Sequence, residues 1–167
     1  MRFEKVLTNE FDKVRDAKAG AERVIRYAER LTKVLDKLLN SEYPVEAWGT
    51  SLVMREDGRS ALIDSPYGQI RAVTVPMLGQ SGAEARFVFE KLTASEQGTR
   101  MYVPVWAVRI NSNGAVVTDD GAEEIFSLHA MSENERDRGA VTIALSALYA
   151  AATHEGYWVE ESSDFKG

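Results

Sequence analysis

The chain has 167 residues, 44% hydrophobic and 28% charged, a balance that suits one folded domain and excludes wholesale disorder. It contains no cysteine, which removes disulfides, thiolate metal sites and cysteine nucleophiles together. The net charge of −6 is uneven: residues 1–40 hold 10 basic and 7 acidic side chains, and residues 41–167 hold 10 and 19. A body this acidic repels phosphates, so nucleic acid is not an expected partner. The opening Met1-Arg2-Phe3-Glu4-Lys5 has acid early and no apolar run, so no signal peptide is predicted. No membrane partner is expected either, since the apolar part of the alanine-rich segment is too short to span a bilayer. Together with the absent cysteine, these features predict a cytoplasmic protein.

Taken in chain order, apolar residues recur at Phe11, Val14, Ala17, Ala21, Val24, Ile25, Ala28, Leu31, Leu35 and Leu38, which predicts one long helix over 9–40. Thr8 or Asn9 is placed to cap its start, and Pro44 must end it. The stripe Ala21, Ile25, Ala28, Leu31, Leu35, Leu38 also resembles a coiled-coil seam, able to pack on its own domain or on a second copy.

Between 45 and 129 the texture changes to short apolar segments separated by turns. These segments are 45–54, 61–64, 69–75, 85–92, 101–110, 115–117 and 124–128. Asp57-Gly58 and Asn113-Gly114 are hairpin signals, and reversals this short favour antiparallel pairing. The expectation is an antiparallel meander of five or six strands. Alternation places Phe87 and Phe89 on one face, with Arg86, Val88 and Glu90 on the other. In the 101–110 segment it places Tyr102, Trp106 and Val108 together, opposite Met101, Val103 and Val105. Pro104 in that segment implies an edge position or a bulge.

A second helix is predicted over 133–155. Ser132 and Glu135 read as a capping box, His154 falls in the last turn, and Gly156 marks the stop. The helix is apolar almost all round, which implies cover on more than one side. Tyr157-Trp158-Val159 reads as a last short strand or a plug on the core, and 160–167 as a fraying tail. The predicted architecture is α+β over a single domain, 1–167: a long N-terminal helix, the meander, and a buried C-terminal helix packed on the sheet.

Chemistry is sparse. Gly79-x-x-Gly82 lacks the Lys-Ser/Thr of a P-loop, and His129 and His154 form no metal-ligand spacing. His129, at the end of an apolar strand, is the single weak candidate for a general acid or base, with a structural role as the commoner outcome. Asp119, Asp120, Glu123 and Glu124 surround Gly121, but their spacing is that of a turn rather than a cation loop. Asp64 and Glu90 are the carboxylates that a folded sheet could pair for acid–base work. No cofactor and no metal are predicted.

Arginine and aromatics give a stronger lead. Arg71, Arg86, Arg100 and Arg109 fall on or beside strands amid Tyr67, Tyr102 and Trp106. Guanidinium forks take carboxylate or phosphate, and aromatic planes take rings. A ligand-binding set of Arg71, Arg86, Arg109, Tyr102 and Trp106 is therefore predicted on a concave sheet face. Cross-strand pairing of those arginines with Glu46, Glu84 and Glu90 is the competing outcome.

Three functions follow. The first is a non-enzymatic binding protein acting through protein–protein contacts (an adaptor, inhibitor or chaperone-like protein), partnered by another protein or by a second copy as a homodimer. The second is a domain that binds a small anionic or nucleotide-like ligand. An enzyme resting on His129 is the third.

Overall fold

The hydrophobic period of the first forty residues builds two helices, not one. In a computed structural model that describes Lys5 and residues 7–158, α1 spans Thr8–Asp16 and α2 spans Lys18–Leu39. The break at Ala17 lies just before Gly20, where an added Cβ would come within 3.2 Å of the Ala83 Cβ. Neither Thr8 nor Asn9 caps α1. Leu7 takes the cap position, and its N–H donates to Glu10 Oε2 at 2.7 Å.

After α2 the segment predicted as the start of the first strand forms one π-helical turn, Pro44–Trp48, and only Ser51–Met54 becomes β1. Gly49, at φ 66°, makes the reversal between them. The buried Thr50 hydroxyl donates to the carbonyls of Leu39 and Pro44, tying the turn to the end of α2. The strands then follow as β2 (Ser60–Asp64), β3 (Ile70–Gly79), β4 (Gly82–Ser95), β5 (Arg100–Ile110), β6 (Ala115–Thr118) and β7 (Glu124–Ser127). Each pairs antiparallel with the next, giving a curled meander in the order β1 to β7. The strand count is seven, not five or six, because even the four-residue segments are pinned by their turns. Asn111 Oδ1 accepts from the amides of Asn113 and Ala115, and Thr118 N–H donates to Glu123 O. Asp57-Gly58 turns as predicted: Gly58 sits at φ 64°, and Asp57 Oδ1 accepts from the amides of Arg59 and Ser60.

The C-terminal helix, α3 (Glu133–Thr153), lies with α2 against one face of this sheet. Phe87, Phe89, Val108 and Ile110 from the strands meet Leu31, Leu35 and Ile143 from the helices, all of them fully buried. Burying side chains of this size contributes about 1.5–3 kcal/mol each before chain entropy is subtracted. The stripe of α2 is spent here: Ala28, Leu31 and Leu35 are buried within the chain, so the seam is not open to a second copy.

Three expectations for α3 are corrected. Ser132 stands at the N-cap but makes no side-chain capping bond. The helix ends at Thr153, and His154 adopts extended backbone with its Nδ1 accepting from Gly156 N–H at 3.0 Å. The cation at the helix end is instead Lys91 of β4, a buried residue whose Nζ donates to Ala151 O at 2.7 Å and His154 O at 2.9 Å. This places positive charge against unsatisfied terminal carbonyls, where the helix dipole favours it. Finally, α3 is covered on one side only. Gly139, Ala140, Ile143, Ala144, Ala147, Leu148 and Ala151 are buried, while Leu145 and Tyr149 face outward.

Tyr157–Trp158 form β8, a two-residue parallel pairing with Ala94 and Ser95 of β4. Val159 and the predicted fraying tail, 160–167, lie outside the described residues. Among the described residues no helix is long and apolar enough to cross a membrane.

Candidate functional site

The sequence-predicted arginines occupy the sheet face turned away from the helices, and register decides their neighbours. Arg71 stands opposite Glu90, and its Nε donates to Glu90 Oε1 at 3.0 Å. The same guanidinium lies 4.1 Å from the centroid of the Tyr102 ring, whose hydroxyl donates to Gln69 Oε1. Arg86 stands opposite Arg109, two like charges that a third group must separate. Asp119, from the loop after β6, does so: Arg86 donates to both its oxygens at 2.8 Å, and Arg109 Nε lies 3.5 Å away. The hydrogen bonds from Arg86 hold the Asp119 carboxyl below the usual carboxylate range, assisted by the charges of Arg86 and Arg109 and opposed by burial. The same bonds raise Arg86 above the ordinary guanidinium value. Arg109 also lies 3.7 Å from Glu84, but its Nε and Glu84 Oε2 are buried without a hydrogen-bond partner.

The predicted ligand set does not converge as a whole. Along β4, the partners of Tyr102 and Arg109 are Leu92 and Arg86, six residues or about 20 Å apart. Trp106 is on the other face altogether. A β-bulge interrupts the β4–β5 register, with Phe89 opposite Trp106 and Glu90 opposite Pro104, so the alternation expected for 101–110 reverses at Val105. The half-buried indole packs on Phe89 at 5.7 Å between centroids, against the core. A depression of about 570 Å³ beside the bulge is lined by Arg86, Val88, Pro104, Val105, Trp106, Ala107, Thr118, Asp119 and Asp120, so Arg86 and Trp106 of the predicted set both border it.

The remaining candidates are held by local structure. Asp120 Oδ1 accepts from the Thr118 hydroxyl and the Ala122 amide, which holds its carboxyl below the usual range and builds the turn. Glu90 is engaged by Arg71, while Asp64 accepts from Gln69 Nε2 at 3.5 Å, so the two carboxylates do not form a pair. His129 is exposed, set edge-on to Tyr27 at 5.3 Å, with Nε2 3.3 Å from the Tyr27 hydroxyl. Its ring lies over Gly114, where a Cβ would come within 2.6 Å of Nε2, so the β5–β6 hairpin needs glycine there for both space and its φ of 79°. Among the described residues, no three His, Cys, Asp or Glu side chains converge on a metal-sized site.

The most distinctive surface feature is one that residue types alone did not single out. Trp48 of the π turn, Pro66 and Tyr67 of the β2–β3 turn, and Leu145, Leu148 and Tyr149 of α3 line an apolar cleft of about 580 Å³. Glu46 is its single charged lining residue. Tyr149 and Tyr67 are 72% and 51% exposed, and Tyr43, 70% exposed, stacks edge-on against Trp48 at 6.2 Å. Gly49 brings the two turns together, because a Cβ there would come within 2.8 Å of Pro66 Cγ. Tyr67, grouped with the arginines by its place in the sequence, belongs to this cleft. The signal that could have found it is the outward pair Leu145 and Tyr149, spaced i, i+4 on the α3 side opposite its buried alanines.

Comparison of the chain with protein-family models, with curated proteins and with solved structures gives no match.

Proposed function

We propose that the chain is a non-enzymatic binding protein that works in the cytoplasm through protein–protein contact, with the aromatic cleft as its docking surface. The observation that carries this reading is the cleft itself: exposed Tyr67 and Tyr149 and a half-buried Trp48 around an apolar floor, with Glu46 as the single charged lining residue. Tyrosine and tryptophan dominate the energetics of protein interfaces, and contiguous exposed apolar surface marks interaction sites. Helices with apolar side chains at i, i+4 and i+7 are the segments that such grooves accept.

The test is a photo-crosslinking amino acid in place of Tyr149, irradiated in the producing cell, with Glu96 on an exposed loop as the control position. A protein adduct at position 149 that is absent at 96 supports the reading. Equal labelling at both positions, or none at either, overturns it.

The second reading, a small anionic ligand, is favoured by one observation. Arg109 Nε is buried without a hydrogen-bond partner beside Arg86, which lines the depression on the outer sheet face. A thermal-shift screen with nucleotides and anionic metabolites tests it, and no stabilisation by any of them removes it.

A further inference from the structure

Helix α1 is oriented against its own amphipathic pattern. Leu7, Phe11 and Val14, at i, i+4 and i+7, form a ridge that is 64%, 59% and 60% exposed, and no residue of α1 is buried. Its other side carries Asn9, Asp12, Lys13 and Asp16, which face the tip of the β3–β4 hairpin across a groove. Surface helices normally do the reverse and turn the apolar stripe inward. A nine-residue helix is also too short to hold well alone in water, so it gains from docking.

Among the described residues, two apolar surfaces are therefore open, one a convex ridge and one a concave cleft. They lie at opposite ends of α2, whose 22 residues span about 33 Å. The ridge of one molecule cannot reach the cleft of the same molecule. Charge fits the pairing between molecules. Lys18 continues the ridge four residues after Val14, and Arg15, four after Phe11, is shared with Asp12 and Asp16 of its own helix, while Glu46 lines the cleft and Glu42 precedes it by one turn. The same polarity holds at large, with the surplus of basic side chains confined to residues 1–40 and the surplus of acidic ones to the rest.

We propose that α1 of one copy seats its Leu7–Phe11–Val14 ridge in the aromatic cleft of a second copy, an inference that rests on reading the cleft as a protein-docking surface. A short helix in one groove buries less than the roughly 1,200 Å² of a stable interface, so the expected assembly is a two-fold dimer with both contacts made reciprocally.

The experiment uses Phe11→Asp, which spoils the ridge, and Tyr149→Asp, which spoils the cleft. Both positions are exposed, and circular-dichroism melts check that each variant folds like the parent. Sedimentation and native mass spectrometry are expected to give a dimer for the parent, with the dissociation constant raised at least about tenfold in each variant alone. Mixing the two variants restores one of the two ridge-in-cleft contacts, so the mass-labelled heterodimer should be weaker than the parent dimer but tighter than either variant with itself. A parent that stays monomeric at high micromolar concentration overturns the proposal, as does a parent dimer that both variants leave intact or a mixture in which the heterodimer is no tighter than either variant with itself. The two levels fail separately. A crosslink from position 149 to a different protein, with a monomeric parent, removes the second copy but keeps the docking cleft. Absence of any crosslink at 149 removes both.

Discussion

The outer sheet face and the aromatic cleft are both open to solvent, yet they are finished to different degrees. On the sheet, Arg71 and Arg86 each hold a carboxylate, and Arg109 lies between two. In the cleft, the side chains of Tyr149, Tyr67 and Leu145 are exposed. The lesson is that side-chain chemistry alone does not mark a binding surface. A guanidinium already paired has little left to offer a ligand, whereas exposed aromatic area keeps its full burial energy in reserve.

The largest expected effect comes from extending that contrast into α3, where a covered residue and an open one are neighbours. Ala144→Leu overpacks the buried side and should cost about 1–3 kcal/mol in urea denaturation. Leu145→Ala, one residue on, should change stability by no more than about 0.5 kcal/mol. Similar costs for the two would erase the distinction between the faces.

Asp119→Asn tests the finished surface. Arg86 and Asp119 are 42% and 38% exposed, so solvent screening limits the loss to about 1 kcal/mol or less at pH 7. The sign with pH follows from the lowered carboxyl. Its stabilisation is complete above the ordinary carboxylate range, near pH 4, and is lost as pH falls through the depressed folded value. Denaturation of parent and variant should therefore converge in strong acid and separate toward neutrality. A gap that widens in acid would contradict the pairing.

The smallest expected effect on stability is that of Tyr149→Asp, within about 0.5 kcal/mol of the parent. Its effect on association should be large by comparison. A variant that loses stability and association in parallel would mean that the cleft is part of the core rather than a docking surface.

Much of the scaffold is legible in the residues. The three-and-four period gives α2, Asp57-Gly58 and Asn113-Gly114 give their hairpins, and the facing Phe87 and Phe89 give the inner side of β4. What escapes a linear reading is set by tertiary geometry. One extra residue at the bulge moves Trp106 to the opposite face, which no alternation count can anticipate. The break at Ala17 lies three residues before Gly20, whose close approach to Ala83 joins positions more than sixty residues apart. The cleft is assembled from three distant segments, and its glycine hinge at Gly49 acquires meaning only beside Pro66. His154 was the plausible cation for the end of α3 because it is local, but Lys91 reaches the same carbonyls from the middle of the sheet.

That lysine also makes the molecule report on its own opening. An ammonium enclosed between a central strand and a helix end is shielded from amine-acylating reagents for as long as both bonds hold, while Lys37 on the exposed side of α2 reacts freely. The rate of Lys91 acylation relative to Lys37 is then a clock for how often the end of α3 lets go of β4. The readout is a single mass increment on one peptide. It should quicken in Ala144→Leu.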